Sequence, residues 1–184
     1  MLTCPYCHKP LTENCPSCPA CNLSVEGATT LLGPVPLLNI GLTDTTETLS
    51  EKQKKSINSA IRHFEHKVPR SRLNIVLRHF DPQYNLSTHL FWLFNTAGLS
   101  PTESQFEKNQ DLLFALDPSN GRLGLMIGYG LEPFVPQQAI TDLLESIRPL
   151  LETNNTADAI LDLIKKLPAV LSKASQEARE TLGL

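Results

Sequence analysis

The chain has 184 residues, of which 41% are hydrophobic and 19% are charged, and its formal net charge is −3 at pH 7. This length suits one ordinary domain with a small additional module, and the composition excludes global disorder. No apolar run of about 18 residues is present, and the N-terminus lacks the basic and apolar regions of a secretory signal, so we expect a cytoplasmic protein without a membrane span.

All five cysteines lie close to the N-terminus, which is typical of a metal site rather than of a disulfide framework. Cys4 and Cys7 form one C-x-x-C pair, and Cys18 and Cys21 form another after ten intervening residues. A tetrahedral zinc ion accepts two thiolates from each such pair. The spacing therefore predicts a structural zinc ribbon over residues 1–25, in which these four cysteines bind Zn²⁺ and leave no position open to a substrate.

Cys15 leaves a second ligand set open, because Cys15 and Cys18 form a further C-x-x-C pair that would omit Cys21. We favour the longer register because its spacing is that of zinc ribbons. His8 is disfavoured as a ligand, since it directly follows a cysteine. Of the two residues that follow the pairs, Asn22 suits a left-handed backbone better than His8.

Residues 26–36 contain two glycines and two prolines, which predicts a linker between the ribbon and a main domain over residues 37–184. The short apolar run 37–40 is expected to form an edge strand or to dock on this domain. Ser50 is predicted to cap a first helix that ends before Pro69. Its apolar stripe consists of Ile57, Ile61, Phe64 and Val68.

The later elements follow from hydrophobic runs between turn signals. They are a strand over 73–80, a helix from a cap at Ser87 to Ala97, strands over 111–116 and 122–130 joined by a turn at 117–121, a helix from Pro136, and a last helix from about Thr156 that Pro168 kinks or splits. The two strands around the turn should pair as an antiparallel hairpin. This order of elements predicts an α/β fold, an α/β/α sandwich around a small mixed sheet, preceded by the zinc ribbon.

Three stretches carry a resemblance to a known family. Residues 128–132 read GYGLE, residues 111–117 read DLLFALD, and Asp44 precedes the capped first helix. Together, residues 38–170 resemble the TPM domain family, which includes a thylakoid acid phosphatase. The resemblance implies an α/β/α sandwich, association with divalent cations, and phosphatase activity. The chain differs from many members in its N-terminal ribbon and in lacking membrane segments.

Three aspartates are expected to meet at one edge of the sheet. If the crossover strands are parallel, Asp44, Asp81 and Asp117 share the carboxyl edge, where α/β sheets bind ligands. With Asn120 and backbone carbonyls, these carboxylates suit Ca²⁺ or Mg²⁺. The alternative is that each aspartate only caps or turns the backbone near it.

Independent signs of catalysis are weak. The main domain has no cysteine nucleophile, and Asp44 lacks the second aspartate of an aspartyl-phosphate mechanism. Arg78 and His79 end a predicted strand as in histidine phosphatases, but Phe80 replaces the glycine of that motif. The glycines of the GYGLE stretch have a structural interpretation as well, and Glu132 is a candidate cap of the third helix.

Charge is unevenly distributed along the chain. Eight of the sixteen lysines and arginines lie in residues 51–80, and Lys52, Lys55, Arg62 and His66 project from the first helix away from its apolar stripe. This face is either ordinary solvated surface or a docking surface for an anionic partner. The overall negative charge argues against tight nucleic-acid binding.

The combined prediction is a cytoplasmic zinc-ribbon and TPM-domain protein that acts as a divalent-cation-binding interaction or adaptor module, with another protein as its partner. The alternative is a metal-dependent acid phosphatase that acts on phosphomonoesters, for which the sequence assigns no catalytic residue.

Overall fold

A computed structural model of the chain describes residues 4–11, 15–99 and 110–182. These ranges contain helices and a four-stranded sheet, in the order α1 (Val25–Leu32), β1 (Leu42–Asp44), α2 (Glu51–Lys67), β2 (Leu73–Leu77), α3 (Leu86–Thr96), β3 (Leu112–Asp117), β4 (Arg122–Ile127), α4 (Gln137–Glu152) and α5 (Thr156–Leu182). None of the described helices combines the length and the apolar character that crossing a bilayer requires.

The strands lie in the order β1-β2-β3-β4. The first three are parallel, and β4 runs antiparallel to β3, with Asp117 opposite Arg122 at the hairpin turn. Gly121 in this turn has a φ of 64°, a backbone conformation that glycine adopts without strain. The structure confirms both the predicted hairpin and the mixed sheet.

Successive side chains of β2 and β3 point to opposite faces of the sheet, so the core is divided between the two faces. Ile75 and Phe114 face α2, α4 and α5, whereas Val76 and Leu113 face α1 and α3. The predicted α/β/α sandwich is therefore confirmed. Strands β1, β2 and β3 follow one another across the sheet, and the helices that connect them, α2 and α3, lie on opposite faces. The β1-α2-β2 and β2-α3-β3 crossovers therefore have opposite hands, so one of them departs from the usual right-handed rule.

The predicted apolar faces of the helices are buried. Ile57, Ile61 and Phe64 of α2 are at most 3% exposed. The last two helices also bury most of their predicted inward positions, namely Ile140, Leu143, Ile147, Ile160, Leu163, Ile164 and Leu167, whereas Leu144 and Leu151 are half-buried. Helix α3 lies close to β4, because a Cβ atom at Gly124 would stand 2.7 Å from Leu90 Cδ1.

Several predicted boundaries are wrong. Most of the predicted linker 26–36 is helix α1, whose start is capped by the Ser24 side chain, which accepts a hydrogen bond from Gly27 N at 3.0 Å. The run 37–40, expected to form an edge strand or to dock on the main domain, is not a strand; Leu37 is fully exposed, but Leu38 packs against the apolar cluster on the α3 face of the sheet. The edge strand β1 lies further along the chain, where it pairs with β2. Strands β2 and β4 end earlier than predicted. Helix α5 continues through Pro168 rather than splitting.

Candidate metal centre and sheet edge

The two C-x-x-C pairs form a repeated backbone turn. In the first, Cys4 N donates to the carbonyl of Lys9 at 2.8 Å, and His8 N donates to the carbonyl of Cys4 at 2.9 Å. In the second, Cys18 N donates to the carbonyl of Leu23 and Asn22 N donates to the carbonyl of Cys18, both at 2.8 Å. We call these two turns the cysteine knuckles. Each knuckle directs its two sulfurs to the same side, which is the arrangement of a zinc ribbon.

The residue after each pair has a left-handed backbone. His8 has a φ of 58° and Asn22 a φ of 57°. Asparagine and histidine both tolerate this conformation better than most residues. The expectation that Asn22 fits this position better than His8 is therefore not reflected in the geometry, because the two residues adopt the same conformation.

The four sulfurs of Cys4, Cys7, Cys18 and Cys21 all lie within 4.8 Å of one another. Cys4 Sγ is 3.7 Å from Cys21 Sγ, and Cys7 Sγ is 3.7 Å from Cys18 Sγ. Tetrahedral zinc with bonds of about 2.3 Å to sulfur separates its ligands by about 3.8 Å. The structure thus brings together the cysteines of the longer register, without Cys15. Residues 1–3 and 12–14 of the predicted ribbon lie outside the described residues.

Burial and backbone dipoles act differently on these thiols. Burial raises the pKa of Cys4, and it raises the pKa of Cys21 to about 12. Burial also opposes the ionisation of Cys18, but the backbone N–H groups of Ala20 and Cys21 outweigh it and lower the pKa of Cys18 to about 7. A divalent cation that prefers sulfur supplies the charge that lets all four sulfurs bind as thiolates.

The first knuckle is bound to the start of α3. The carbonyl of Pro5 accepts hydrogen bonds from Ser87 Oγ at 2.7 Å and from Thr88 Oγ1 at 3.4 Å. Asn85 Nδ2 donates to the carbonyl of Tyr6 at 3.4 Å. Asn85, not Ser87, occupies the N-cap position of α3, so the predicted cap is wrong by two residues. The hydroxyl of Ser87 holds the knuckle instead.

The same knuckles share an apolar cluster with the sheet. Cys4 and Cys18 are 1% and 3% exposed, and they belong to the cluster that contains Val76 of β2 and both Leu90 and Trp92 of α3. The cysteine module therefore lies on the body of the protein. In the sequence, Ser87 was interpreted only as a helix cap, so its contact with the first knuckle was not predicted.

Asp117 is the most deeply buried of the three predicted edge aspartates, at 1% exposed. Its carboxylate accepts hydrogen bonds from Phe80 N at 3.0 Å, Ser119 Oγ at 2.6 Å and Asn120 Nδ2 at 3.0 Å, and His79 Nδ1 lies 3.2 Å away. Burial alone would raise the pKa of Asp117, but these hydrogen bonds prevail and lower it to about 2.

The other two aspartates are engaged in turns of their own. Asp44 accepts hydrogen bonds from Thr46 Oγ1 at 2.7 Å and from Leu49 N at 2.9 Å, which lowers its pKa against the opposing effect of burial. Asp81 Oδ1 accepts from Gln83 N at 2.9 Å. The parallel strands place all three aspartates at the carboxyl edge, but within the described part of the chain they do not form a set with oxygens within 4.8 Å of one another.

The GYGLE stretch lies at the other edge of the sheet. Ile127, the last residue of β4, pairs with Leu112 at the start of β3, and Gly128 N donates to the carbonyl of Asp111 at 2.8 Å. The stretch therefore does not share a site with the aspartates. Glu132 does not cap α4, the third helix of the sequence prediction, because Pro136 holds the N-cap position. Burial raises the pKa of the Glu132 carboxyl group.

The basic residues of α2 lie where the sequence places them. Lys52, Lys55, Arg62 and His66 are all exposed, opposite the buried stripe of this helix. Exposure of this kind is expected of both a solvated face and a docking surface.

Comparison with known proteins agrees with this architecture. The TPM domain family matches residues 42–170. Three solved structures share the fold: the BA42 protein from Bizionia argentinensis (18% identity, 71% of this chain and 86% of that chain, TM-score 0.59), the N-terminal domain of the cg2496 protein from Corynebacterium glutamicum (17%, 75% and 84%, 0.53), and the N-terminal domain of a protein from P. gingivalis (20%, 80% and 90%, 0.53). Among curated proteins, none matches the sequence of this chain.

Proposed function

The chain belongs to the TPM domain family, and on that basis we propose that it is an interaction or adaptor module whose N-terminal cysteine site binds one structural Zn²⁺. The observation that carries this proposal is the closed set of four sulfurs, in which the distance between the two sulfur atoms is 3.7 Å both for Cys4 and Cys21 and for Cys7 and Cys18. Four thiolates at this spacing are the preferred ligands of a structural zinc ion.

A structural role is favoured because the site leaves no ligand position for a substrate. Two of its sulfurs belong to residues that are almost fully buried, and the first knuckle is fixed to α3. The protein then acts through its surface, where aromatic side chains are exposed: Tyr6 in the first knuckle, and Tyr129 and Phe134 between β4 and α4. Exposed aromatic side chains of this kind are enriched in protein interfaces.

The zinc content of the purified chain tests the metal site. We expect one zinc ion per chain in protein prepared without chelator, and loss of that zinc in the Cys4→Ser and Cys21→Ser variants. Cys15→Ser is the matched control and should retain the metal, since Cys15 is not part of the four-sulfur set. Loss of zinc from the Cys15 variant, or full zinc content in the other two, would contradict the ligand set.

Binding of Ca²⁺ or Mg²⁺ at the carboxyl edge remains a proposal. In its favour, Asp44 and Asp117 both have lowered pKa values, so both carboxylates are ionised at neutral pH at the same edge as Asp81. A shared cation requires the carboxylates to approach one another beyond their present separation.

The phosphatase alternative is less well supported. The Asp117 carboxylate accepts several hydrogen bonds, which suits a structural acceptor rather than a free nucleophile. We expect no turnover of a generic phosphomonoester above background in the presence of Mg²⁺ or Ca²⁺. Turnover that Asp117→Asn abolishes, while Asp142→Asn on the exposed face of α4 preserves it, would favour the enzyme instead.

We place the protein in the cytoplasm, because a thiolate zinc site requires a compartment that keeps cysteines reduced. A second protein is the proposed partner. The net charge of −3 opposes tight nucleic-acid binding, so the exposed basic residues of α2 are assigned to solvent or to an acidic protein surface.

A further inference from the structure

The sheet has two edges, and they differ in their protection against pairing with a further strand. The β1 edge has only three residues and ends in the ionised Asp44. Natural proteins use short strands, charged side chains and proline to keep sheet edges unpaired. The β4 edge has six residues, and its single charge is that of Arg122 at the first position. The rest of β4 consists of leucine, glycine, methionine and isoleucine, so this edge lacks those protective features.

The hydrogen bonds of β3 show which backbone groups of β4 point away from the sheet. Leu112 N donates to the carbonyl of Arg72 at 2.7 Å, so Leu112 directs its backbone groups towards β2. Leu113, the next residue, therefore directs its groups towards its partner in β4, Met126. The alternate residues of β4 direct their N–H and C=O groups outward, and they are Leu123, Leu125 and Ile127.

These outward groups have no hydrogen-bond partner among residues 4–11, 15–99 and 110–182, where β3 is the only strand beside β4. Side chains at this edge are also partly open. Leu123 and Leu125 are half-buried, whereas their partners in β3, Leu116 and Phe114, are at most 1% exposed. An unpaired edge with apolar side chains beside it is a template for pairing with another chain.

The outward groups of β4 are complementary to a second copy of the same strand. Antiparallel pairing about a two-fold axis at Leu125 places Leu125 opposite Leu125 and Leu123 opposite Ile127. This register pairs every outward N–H and C=O group of both strands, and the side chains opposite one another are all apolar. Cross-strand contacts between such side chains stabilise antiparallel sheets.

The charges that flank β4 favour the same arrangement. Within residues 118–141, the only acidic or basic side chains are those of Arg122, which begins β4, and Glu132, which follows it. Antiparallel pairing moves the two arginines to opposite ends of the interface, and each approaches the end of the other strand, which Glu132 follows. A parallel arrangement would place like charges side by side, which is destabilising. The strand is therefore complementary to itself in charge as well as in register.

We propose that the protein forms a symmetric dimer through β4, in which the two four-stranded sheets join into one continuous sheet. The two-fold axis of an antiparallel strand pair is perpendicular to the sheet, so the dimer places both cysteine modules on the same side. Tyr129 is 56% exposed and follows β4 by two residues, so it lies at the margin of this interface. The dimer goes beyond the zinc function proposed above and does not depend on it, because no cysteine belongs to β4.

Sedimentation equilibrium of the full chain over a range of concentrations tests the proposal. We expect a monomer–dimer equilibrium with a dissociation constant on the order of 10 µM, because a single pair of edge strands buries less surface than a standard interface. Leu125→Pro removes the central outward N–H, a change that an edge strand tolerates, and should raise the dissociation constant at least tenfold.

A lysine substitution provides a matched pair of variants. Leu123→Lys places a charge at the proposed interface and should also raise the dissociation constant at least tenfold. Leu37→Lys is the control, because Leu37 is fully exposed and lies outside β4, and it should associate as the parent does. Equal loss of association in both variants would overturn the assignment to β4.

Backbone amide exchange in the unaltered chain decides the question even if a variant does not fold. Exchange at the N–H groups of Leu123 and Leu125 should slow as the protein concentration rises, whereas exchange at Leu42 in β1 should not change. A chain that stays monomeric at about 100 µM, an unchanged dissociation constant in Leu125→Pro, or exchange at these two leucines that is independent of concentration would overturn the proposal. Zinc content is measured separately, so failure of the dimer leaves the metal site untouched.

Discussion

At the scale of single residues, Asp117 connects the end of β3 to two other segments. Its carboxylate accepts the backbone N–H of Phe80, which follows β2, and the side-chain donors of Ser119 and Asn120 in the hairpin turn. Because these bonds are made to the ionised form, they lower the pKa of Asp117 from 3.8 to about 2. The residue therefore stabilises the carboxyl edge of the sheet in its charged state.

Asp117→Asn should lower the stability of the fold by about 2 kcal/mol near neutral pH, since the amide is a weaker acceptor for the same donors. The folded pKa is below the unfolded value, so the contribution of Asp117 is fully present above about pH 4 and is lost as the pH falls towards 2. Urea unfolding at pH 7 and at pH 3 measures both effects. The difference between parent and variant should be smaller at the lower pH.

Asp142→Asn is the control for this comparison, because Asp142 lies on the exposed face of α4 and bonds only to the side chain of Gln138 among the described residues. It should unfold within about 0.5 kcal/mol of the parent. An Asp117 variant as stable as this control would mean that the observed hydrogen bonds contribute nothing to stability.

At the scale of elements, the contact between the first knuckle and α3 couples the metal site to the sheet. The hydroxyls of Ser87 and Thr88 hold the carbonyl of Pro5, and the buried cysteines lie in one apolar cluster with Val76 of β2. Residues 26–36, predicted to be a linker, contain helix α1, which packs against α3. Loss of the metal should therefore affect more than the first 25 residues.

Removal of the metal by a chelator should lower the melting temperature of the whole chain by more than about 5 °C, in a single transition, because a ligand of the folded state stabilises everything that unfolds with it. Circular dichroism at a helix wavelength measures this transition. If the chelator instead leaves the main transition unchanged, the cysteine module and the sheet unfold independently, as a flexible linker would allow.

Ser87→Ala removes the 2.7 Å hydrogen bond to the carbonyl of Pro5. This change should cost about 1 kcal/mol and should reduce the effect of the chelator, since the knuckle is then held less firmly on α3. Ser59→Ala, on the exposed side of α2, is the matched substitution and should leave both quantities unchanged. Thermal melts with and without chelator, compared among the three proteins, test this coupling.

At the scale of the whole molecule, the parallel strands β1, β2 and β3 place Asp44, Asp81 and Asp117 at one edge. Ionised carboxylates at a common edge repel one another, and a bound divalent cation removes this repulsion. We expect millimolar Ca²⁺ or Mg²⁺ to raise the melting temperature of the zinc-loaded chain, and we expect Asp44→Asn to reduce the shift. Differential scanning calorimetry with either ion measures the shift.

The Asp142→Asn variant should respond to these ions as the parent does, because Asp142 lies on the exposed face of α4 and is not one of the three edge aspartates. Zinc bound at the cysteines does not interfere, since Ca²⁺ and Mg²⁺ prefer oxygen ligands and do not displace it from thiolates. Equal shifts in the parent and the Asp44 variant would show that this aspartate only turns the backbone.

The sequence predicted the elements that depend on local signals. Ser50 caps α2 as predicted, the apolar stripe of this helix is buried at Ile57, Ile61 and Phe64, and the predicted turn at residues 117–121 joins two paired strands. The structure adds Gln53, whose side chain completes the cap. Helix α1 escaped prediction because it is only eight residues long and is flanked by glycine and proline, whose turn signals outweigh its weak pattern. Its stability comes from contact with α3, which a sequence pattern does not contain.

By itself, the sequence determined the α/β class, the family resemblance and the cysteines of the metal site, because periodicity and C-x-x-C spacing are local properties of the chain. Only the tertiary structure decided what is brought together. It joined the first knuckle to α3, separated the GYGLE stretch from the aspartates, and enclosed Arg78 and Trp92 around one cavity. These outcomes depend on which faces of distant elements pack together. Arg78 and Trp92, for example, are 14 positions apart on different elements, and their spacing does not predict that they line the same cavity.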